Sequence, residues 1–90
     1  MSALLENIKK GAKIVDVRTP EEFQDEHFPN AVNISVEQVH ERLAEFGDKN
    51  APVIVYCATG SRSAYAARIL KTAGYSDVIN AGGLYDMPGY

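Results

Sequence analysis

The hydrophobic pattern of this chain changes period repeatedly, and that restricts the folds open to it. Short β-branched runs stand at residues 13–17, 31–34, 52–56 and 77–80. Between them, apolar residues recur three and four apart, as on one face of a helix. Residues 3–10 read as a helix with Leu4, Leu5 and Ile8 on one side, closed by Gly11. Thr19, Pro20 and Glu22 form a helix start, with a cap, a proline at the first helical position and a capping-box glutamate. That helix is short and ends before Pro29. Ser35 and Gln38 suggest a second capping box, opening a helix that turns Val36, Val39, Leu43 and Phe46 inward and stops at Gly47. The longest helix is expected over 61–73, with Ala66, Ala67, Ile69, Leu70 and Ala73 on its apolar face and Gly74 after it. Strands alternating with helices in this way predict βαβ units. The expected fold is α/β, a parallel sheet of four to five strands with helices on both faces. Ninety residues suit one domain, expected over 1–90.

Ligands of such folds bind at the carboxyl ends of the strands. Arg18, Cys57 and the pair Gly82-Gly83 all fall at strand ends, so three loops should meet at one edge. Cys57 is the only cysteine. It ends the most hydrophobic run and opens Cys57-Ala58-Thr59-Gly60-Ser61-Arg62-Ser63, which leads into the longest helix. Unpaired N–H groups of a first helical turn, with the helix dipole, make a cradle for an anion. A cysteine there has a depressed pKa, and the thiolate is the nucleophile. A lone cysteine ending a strand can equally be a small buried core residue. The Gly-x-Arg-Ser that follows favours the reactive reading.

The net charge of −3 argues against a general nucleic-acid binder, which would show a basic face. One cysteine forbids an intramolecular disulfide, and His27 and His40 lie far from it, so no metal-ligand spacing appears. A reduced, cytoplasmic setting is expected. Met1 to Lys10 has no apolar stretch of the kind a signal peptide carries, and no run approaches a membrane span. No cofactor, nucleic-acid partner or membrane partner is expected, and the chain is expected to be a monomer.

Three segments carry a family resemblance. Asp16-Val17-Arg18, then Glu22-Phe23, then His27-Phe28-Pro29-Asn30-Ala31-Val32-Asn33-Ile34 resembles the N-terminal signature of single-domain rhodaneses, which are sulfurtransferases. The loop from Cys57 to Ser63 fits the family's Cys-x-x-Gly-x-Arg-Ser. Ile79-Asn80-Ala81-Gly82-Gly83-Leu84 is similar to the C-terminal signature ending in Gly-Gly and a hydrophobic residue. In order, these span the chain from Lys13 to about Leu84. Glu26, Phe28 and Asn30 depart from the usual glycine, isoleucine and glycine. Asparagine tolerates positive φ better than most residues. The chain also begins later than typical members, and the sequence leaves the presence of an N-terminal edge strand open.

The resemblance implies two-step covalent catalysis. Cys57 would attack the outer sulfur of a small anionic donor such as thiosulfate, and a small-molecule or protein thiol, or cyanide, would accept the sulfur. Backbone N–H groups from Ala58 to Ser63 would hold the terminal sulfur, and Arg62 would attract the donor and hold the leaving sulfite. Thr59, Ser61 and Ser63 either add hydroxyl donors or cap the helix. Gly60 would supply a backbone angle that a β-carbon forbids. Arg18 either lines the pocket mouth or forms a structural ion pair with Glu22 or a carboxylate near the loop, with Asp16 supporting the same edge. His27 reads as a hydrogen-bonded turn residue and His40 as solvated. Glu21, Glu22, Asp25 and Glu26 read as an exposed acidic face at a helix start.

Three other readings share these residues. One is a sulfur carrier or regulatory module loaded by a partner enzyme. Another is a cysteine-type phosphatase or arsenate reductase. Phosphatase loops place one residue more between cysteine and arginine than the four here (Ala58, Thr59, Gly60, Ser61), and the tighter ring suits a single sulfur atom. The last is an inert interaction domain, against which the intact Cys57 and Arg62 speak.

Overall fold

The structure is a computed structural model that describes residues 3–90; Met1 and Ser2, which open the segment searched for a signal peptide, lie outside them. Helix α1 (Ala3–Lys9) leads into strand β1 (Lys13–Asp16), helix α2 (Pro20–Asp25) and strand β2 (Val32–Asn33). Strand β3 (Val53–Cys57), helix α3 (Ser61–Thr72) and strand β4 (Val78–Gly83) follow. The four strands form one parallel sheet in the order β2-β1-β3-β4. The expected parallel sheet is present, with four strands.

The two faces of the sheet follow from the alternation of side chains along a strand. Val15, Val53, Val55 and Cys57 point to one face and pack with Ala66, Ala67, Ile69 and Leu70 of α3. Ile14, Ile54 and Tyr56 point to the other, against Leu84 and Met87, with Leu4 and Ile8 of α1 packed alongside. β3 is buried at every position, which explains its unbroken apolar sequence. This parity decides the site. Cys57 falls on the α3 face, whereas Asp16, aligned with Tyr56, falls on the other.

Residues 36–46 differ from expectation. They form two 3₁₀ turns, Val36–Gln38 and Leu43–Phe46, and Ser35 makes no side-chain capping bond. Val36/Val39 and Leu43/Phe46 are each three apart, the repeat of a 3₁₀ turn, and two β-branched residues disfavour a continuous helix. The inward residues are still those expected: Val39 and Phe46 are buried, and Val36 and Leu43 pack against the same core. The Tyr75 hydroxyl lies 2.9 Å from the carbonyl of Leu43 and 3.0 Å from that of Gly47, tying down the second turn. Among the described residues, no helix is long and apolar enough to cross a membrane.

β4 runs further than the expected 77–80, as far as Gly83, because it carries an irregularity. Val55 aligns with Asn80, but Cys57 aligns with Gly83, so β4 spends one extra residue over the same length of β3. A bulge of this kind re-aims the residues beyond it. Gly82 takes φ +92°, which a side chain rarely adopts, and Gly83 arrives beside Cys57.

Candidate active site

β3 delivers Cys57 to the carboxyl edge of the sheet with no exposed surface. The chain then reverses through Ala58 and Thr59 to Gly60, at φ +106°, the residue preceding the first turn of α3. The reversal folds the first turn of α3 over the sulfur. Gly60 N–H donates to Cys57 Sγ at 2.9 Å, Ser63 N–H donates at 3.4 Å, and Ser63 Oγ lies 3.4 Å away. Burial pushes the thiol pKa up. The Ser63 hydroxyl and the N–H groups of Ser63, Gly60 and Thr59 push it down and prevail, leaving it below its ordinary value. The sulfur therefore sits in a ring of donors that favours its anion.

The three loop hydroxyls separate. Ser63 is buried against the sulfur, whereas Thr59 and Ser61 are exposed. The cap position of α3 belongs to Gly60, which has no side chain.

The loop also needs the tip of β4. A β-carbon on Gly83 would overlap the Ala58 carbonyl oxygen, and one on Gly60 would stand 3.4 Å from Gly82 Cα. Asn80 ties β4 to the loop, its Nδ2 donating to the Gly60 carbonyl at 3.3 Å.

Arg62 does not stand free. Its Nη1 and Nη2 donate to the two carboxylate oxygens of Glu22 at 2.8 and 3.1 Å. Glu22 also closes the start of α2: Thr19 N–H donates to Glu22 Oε1 at 3.0 Å, and Glu22 N–H donates to Thr19 Oγ1 at 3.2 Å. Hydrogen bonding from Arg62, and then from the Thr19 backbone, lowers the Glu22 pKa to about 2. Glu22 is thus half-buried and paired with the arginine of the Cys57 loop, which corrects its reading as one residue of an exposed acidic face. Glu21, Asp25 and Glu26 are exposed.

Arg18 has a partner other than Glu22. Its Nη2 donates to Asp16 Oδ2 at 2.7 Å and its Nε to both Asp16 oxygens at 3.0 and 3.1 Å. Nη2 also reaches the Glu26 carbonyl at 2.6 Å, and the guanidinium lies 5.6 Å from the centre of the Tyr56 ring. Both members are buried. The pair is a closed structural lock at the end of β1, on the face away from Cys57. His27 makes its turn contact, Nδ1 lying 2.8 Å from the Phe23 carbonyl with the ring stacked on Phe23 at 3.8 Å. His40 is exposed.

No three His, Cys, Asp or Glu side chains among the described residues are grouped as metal ligands. A cavity of about 450 Å³ lies at the far end of β1 among Ile8, Lys13, Ile14, Phe28 and Val32, and includes none of the Cys57 loop.

This geometry has known relatives. The family model of the rhodanese-like domain matches residues 1–86. The thiosulfate sulfurtransferase PspE of Escherichia coli (strain K12) is 49% identical over 74 residues, covering 81% of this chain and 71% of PspE. The thiosulfate sulfurtransferase GlpE of Pseudomonas syringae pv. syringae (strain B728a) is 33% identical over 79 residues, covering 88% of this chain and 74% of GlpE. A solved structure described as rhodanese with anions from E. coli superposes with a TM-score of 0.80 at 47% identity, covering 84% of this chain and 91% of that one. The chain belongs to the rhodanese-like domain family, as a sulfurtransferase of the rhodanese type.

Proposed function

We propose that the protein moves a sulfane sulfur from thiosulfate, or a similar small anion, to a thiophilic acceptor through a persulfide on Cys57. The observation that carries this is the ring around Sγ: two backbone N–H groups and one hydroxyl converge on a thiol whose pKa they lower.

In the first step the Cys57 thiolate attacks the outer sulfur of thiosulfate. A new S–S bond forms, the old one breaks, and sulfite leaves with the bonding pair. The terminal sulfur of the persulfide carries the negative charge, and the N–H groups of the loop from Ala58 to Ser63 stabilise it with the dipole of α3. In the second step cyanide or a thiolate attacks that sulfur. Thiocyanate or an acceptor persulfide leaves, and the Cys57 thiolate returns.

The Arg62 guanidinium interacts electrostatically with Cys57. Because Glu22 already holds Arg62 by two hydrogen bonds, a dianionic donor or departing sulfite competes with a single carboxylate for the guanidinium. Ser63 supplies a side-chain donor, and Gly60 supplies the backbone angle and one N–H. Thr59 and Ser61 serve through their backbone only. Asp16 and Arg18 keep the neighbouring strand end in place. Residues 1–90 act as one domain, a monomer of the cytoplasm.

Steady-state thiocyanate formation from thiosulfate and cyanide tests this reading. Ping-pong kinetics, abolished by Cys57→Ser, are expected. Absence of turnover, with sulfur loading only from a persulfide-donating enzyme, would favour the carrier reading. Hydrolysis of an aryl phosphate would favour a phosphatase.

A further inference from the structure

The Ser63 hydroxyl has one proton and several acceptors for it. Ser63 Oγ lies 2.6 Å from Asn80 Oδ1, 3.2 Å from the Gly60 carbonyl, and 3.4 Å from both the Gly82 carbonyl and Cys57 Sγ. The contact with Asn80 is short enough for a strong O–H···O bond. The orientation of the Asn80 carboxamide is determined from two sides. Oδ1 accepts Gly82 N–H at 3.0 Å, and Nδ2 donates to the Gly60 carbonyl at 3.3 Å. Turning the amide over would oppose two donors at Gly82 and two acceptors at Gly60. Asn80 therefore presents an acceptor to Ser63.

When Cys57 is a thiol, the chain of donors is complete: S–H donates to Ser63 Oγ, and Ser63 O–H donates to Asn80 Oδ1. When Cys57 is a thiolate, the sulfur becomes an acceptor and competes with Asn80 for the same proton. We propose that Asn80 is a positioning residue: by holding the Ser63 proton it governs how far that hydroxyl is available to the Cys57 sulfur, and so the pH at which the thiolate forms. The consequence for turnover rests on Cys57 being the nucleophile, as proposed above; the proton competition does not.

The charged groups around the site have partners of their own. Arg62 of α3 is held by Glu22 of α2. Arg18 at the end of β1 is held by Asp16. Asp86, just beyond β4, accepts Gly83 N–H at 2.8 Å. Asn80 carries no net charge, and its hydrogen-bonded route to the sulfur runs through Ser63.

A double-mutant cycle reads this directly. Cys57 is the only cysteine, so thiolate absorbance at 240 nm, corrected for tyrosinate with Cys57→Ser, reports one group. Asn80→Asp gives up the bond to the Gly60 carbonyl but keeps an acceptor toward Ser63 and Gly82 and binds the Ser63 proton more strongly. It should raise the midpoint of thiolate formation by about one pH unit, and by much less in a Ser63→Ala background. No shift, or equal shifts in both backgrounds, would overturn the proposal. The second outcome would mean that the added charge acts on the sulfur without Ser63.

If Asn80→Asp does not fold, the wild type carries the test by NMR. The side-chain amide resonances of Asn80 should titrate with the Cys57 midpoint, and this titration should be lost in Ser63→Ala. Amide resonances indifferent to the thiol would overturn the proposal. Neither reading uses a sulfur donor, so failure of the thiosulfate reading would show separately, as missing thiocyanate.

Discussion

The guanidinium of Arg62 closes on the carboxylate of Glu22, forty residues earlier in the chain, through two hydrogen bonds of 2.8 and 3.1 Å. One residue thereby joins the start of α2 to the first turn of α3. The link has a pH signature. The folded-state pKa of Glu22, about 2, lies below its ordinary value of 4.5. A depressed carboxyl contributes stability that is complete above the unfolded pKa and is lost as pH falls toward the folded one. Each side chain is about a third exposed (34% and 36%), so water screens the pair and its worth is about 1 kcal/mol or less. Urea unfolding should find Glu22→Gln less stable than wild type by up to that amount at pH 7, with the two curves converging near pH 2. A constant difference across that range would contradict the assignment.

The same pair makes Arg62→Lys a revealing change. Lysine keeps the charge but cannot span both carboxylate oxygens. The KM for thiosulfate should rise about tenfold, while the thiolate midpoint moves little. Unchanged kinetics would remove Arg62 from donor binding.

Ser63→Ala should act on the midpoint instead. The hydroxyl is a leading cause of the lowered Cys57 pKa, and its loss leaves burial less opposed. The rate of sulfur transfer should rise with pH to a plateau, and in Ser63→Ala that plateau should begin at higher pH. A coincident pH profile would show that the backbone N–H groups alone hold the thiolate.

Gly83 has an ordinary backbone angle, φ −98°, so alanine there meets no dihedral penalty. Its β-carbon would instead overlap the Ala58 carbonyl oxygen. Gly83→Ala should push the loop off β4, lower activity at least a hundredfold, and cost about 1–3 kcal/mol in stability. Full activity in this variant would mean that the loop does not need its contact with β4.

Asp16→Ala should behave in the opposite manner. It strands the buried Arg18 without its carboxylate, which costs about 3–5 kcal/mol. Asp16 lies on the face away from Cys57, so protein that remains folded should keep the wild-type thiolate midpoint. Denaturant unfolding and the 240 nm titration separate these effects, and a shifted midpoint would contradict the division of the two faces.

Much of this was legible in the sequence because strand and helix periods are local. The β-branched runs led to the parallel sheet, and the spacing from Cys57 to Ser63 placed the loop between β3 and α3. What escaped depends on contacts between distant residues. Glu22 carries a helix-cap signal that accounts for it fully, so nothing local pointed to Arg62. The extra residue in β4 exists only relative to β3, and the place of Asn80 beside Ser63 depends on it. The apolar spacing of residues 36–46 fits both α and 3₁₀ turns, and packing decides between them.

In the proposed mechanism Cys57 carries the transferred sulfur. Intact mass should be measured after incubation with thiosulfate and again after cyanide, on reduced wild type and on Cys57→Ser. A gain of one sulfur atom is expected in wild type, removed by cyanide and absent from the variant. Freshly reduced protein that gains no sulfur, or a variant that gains it equally, would contradict a Cys57 persulfide formed from thiosulfate.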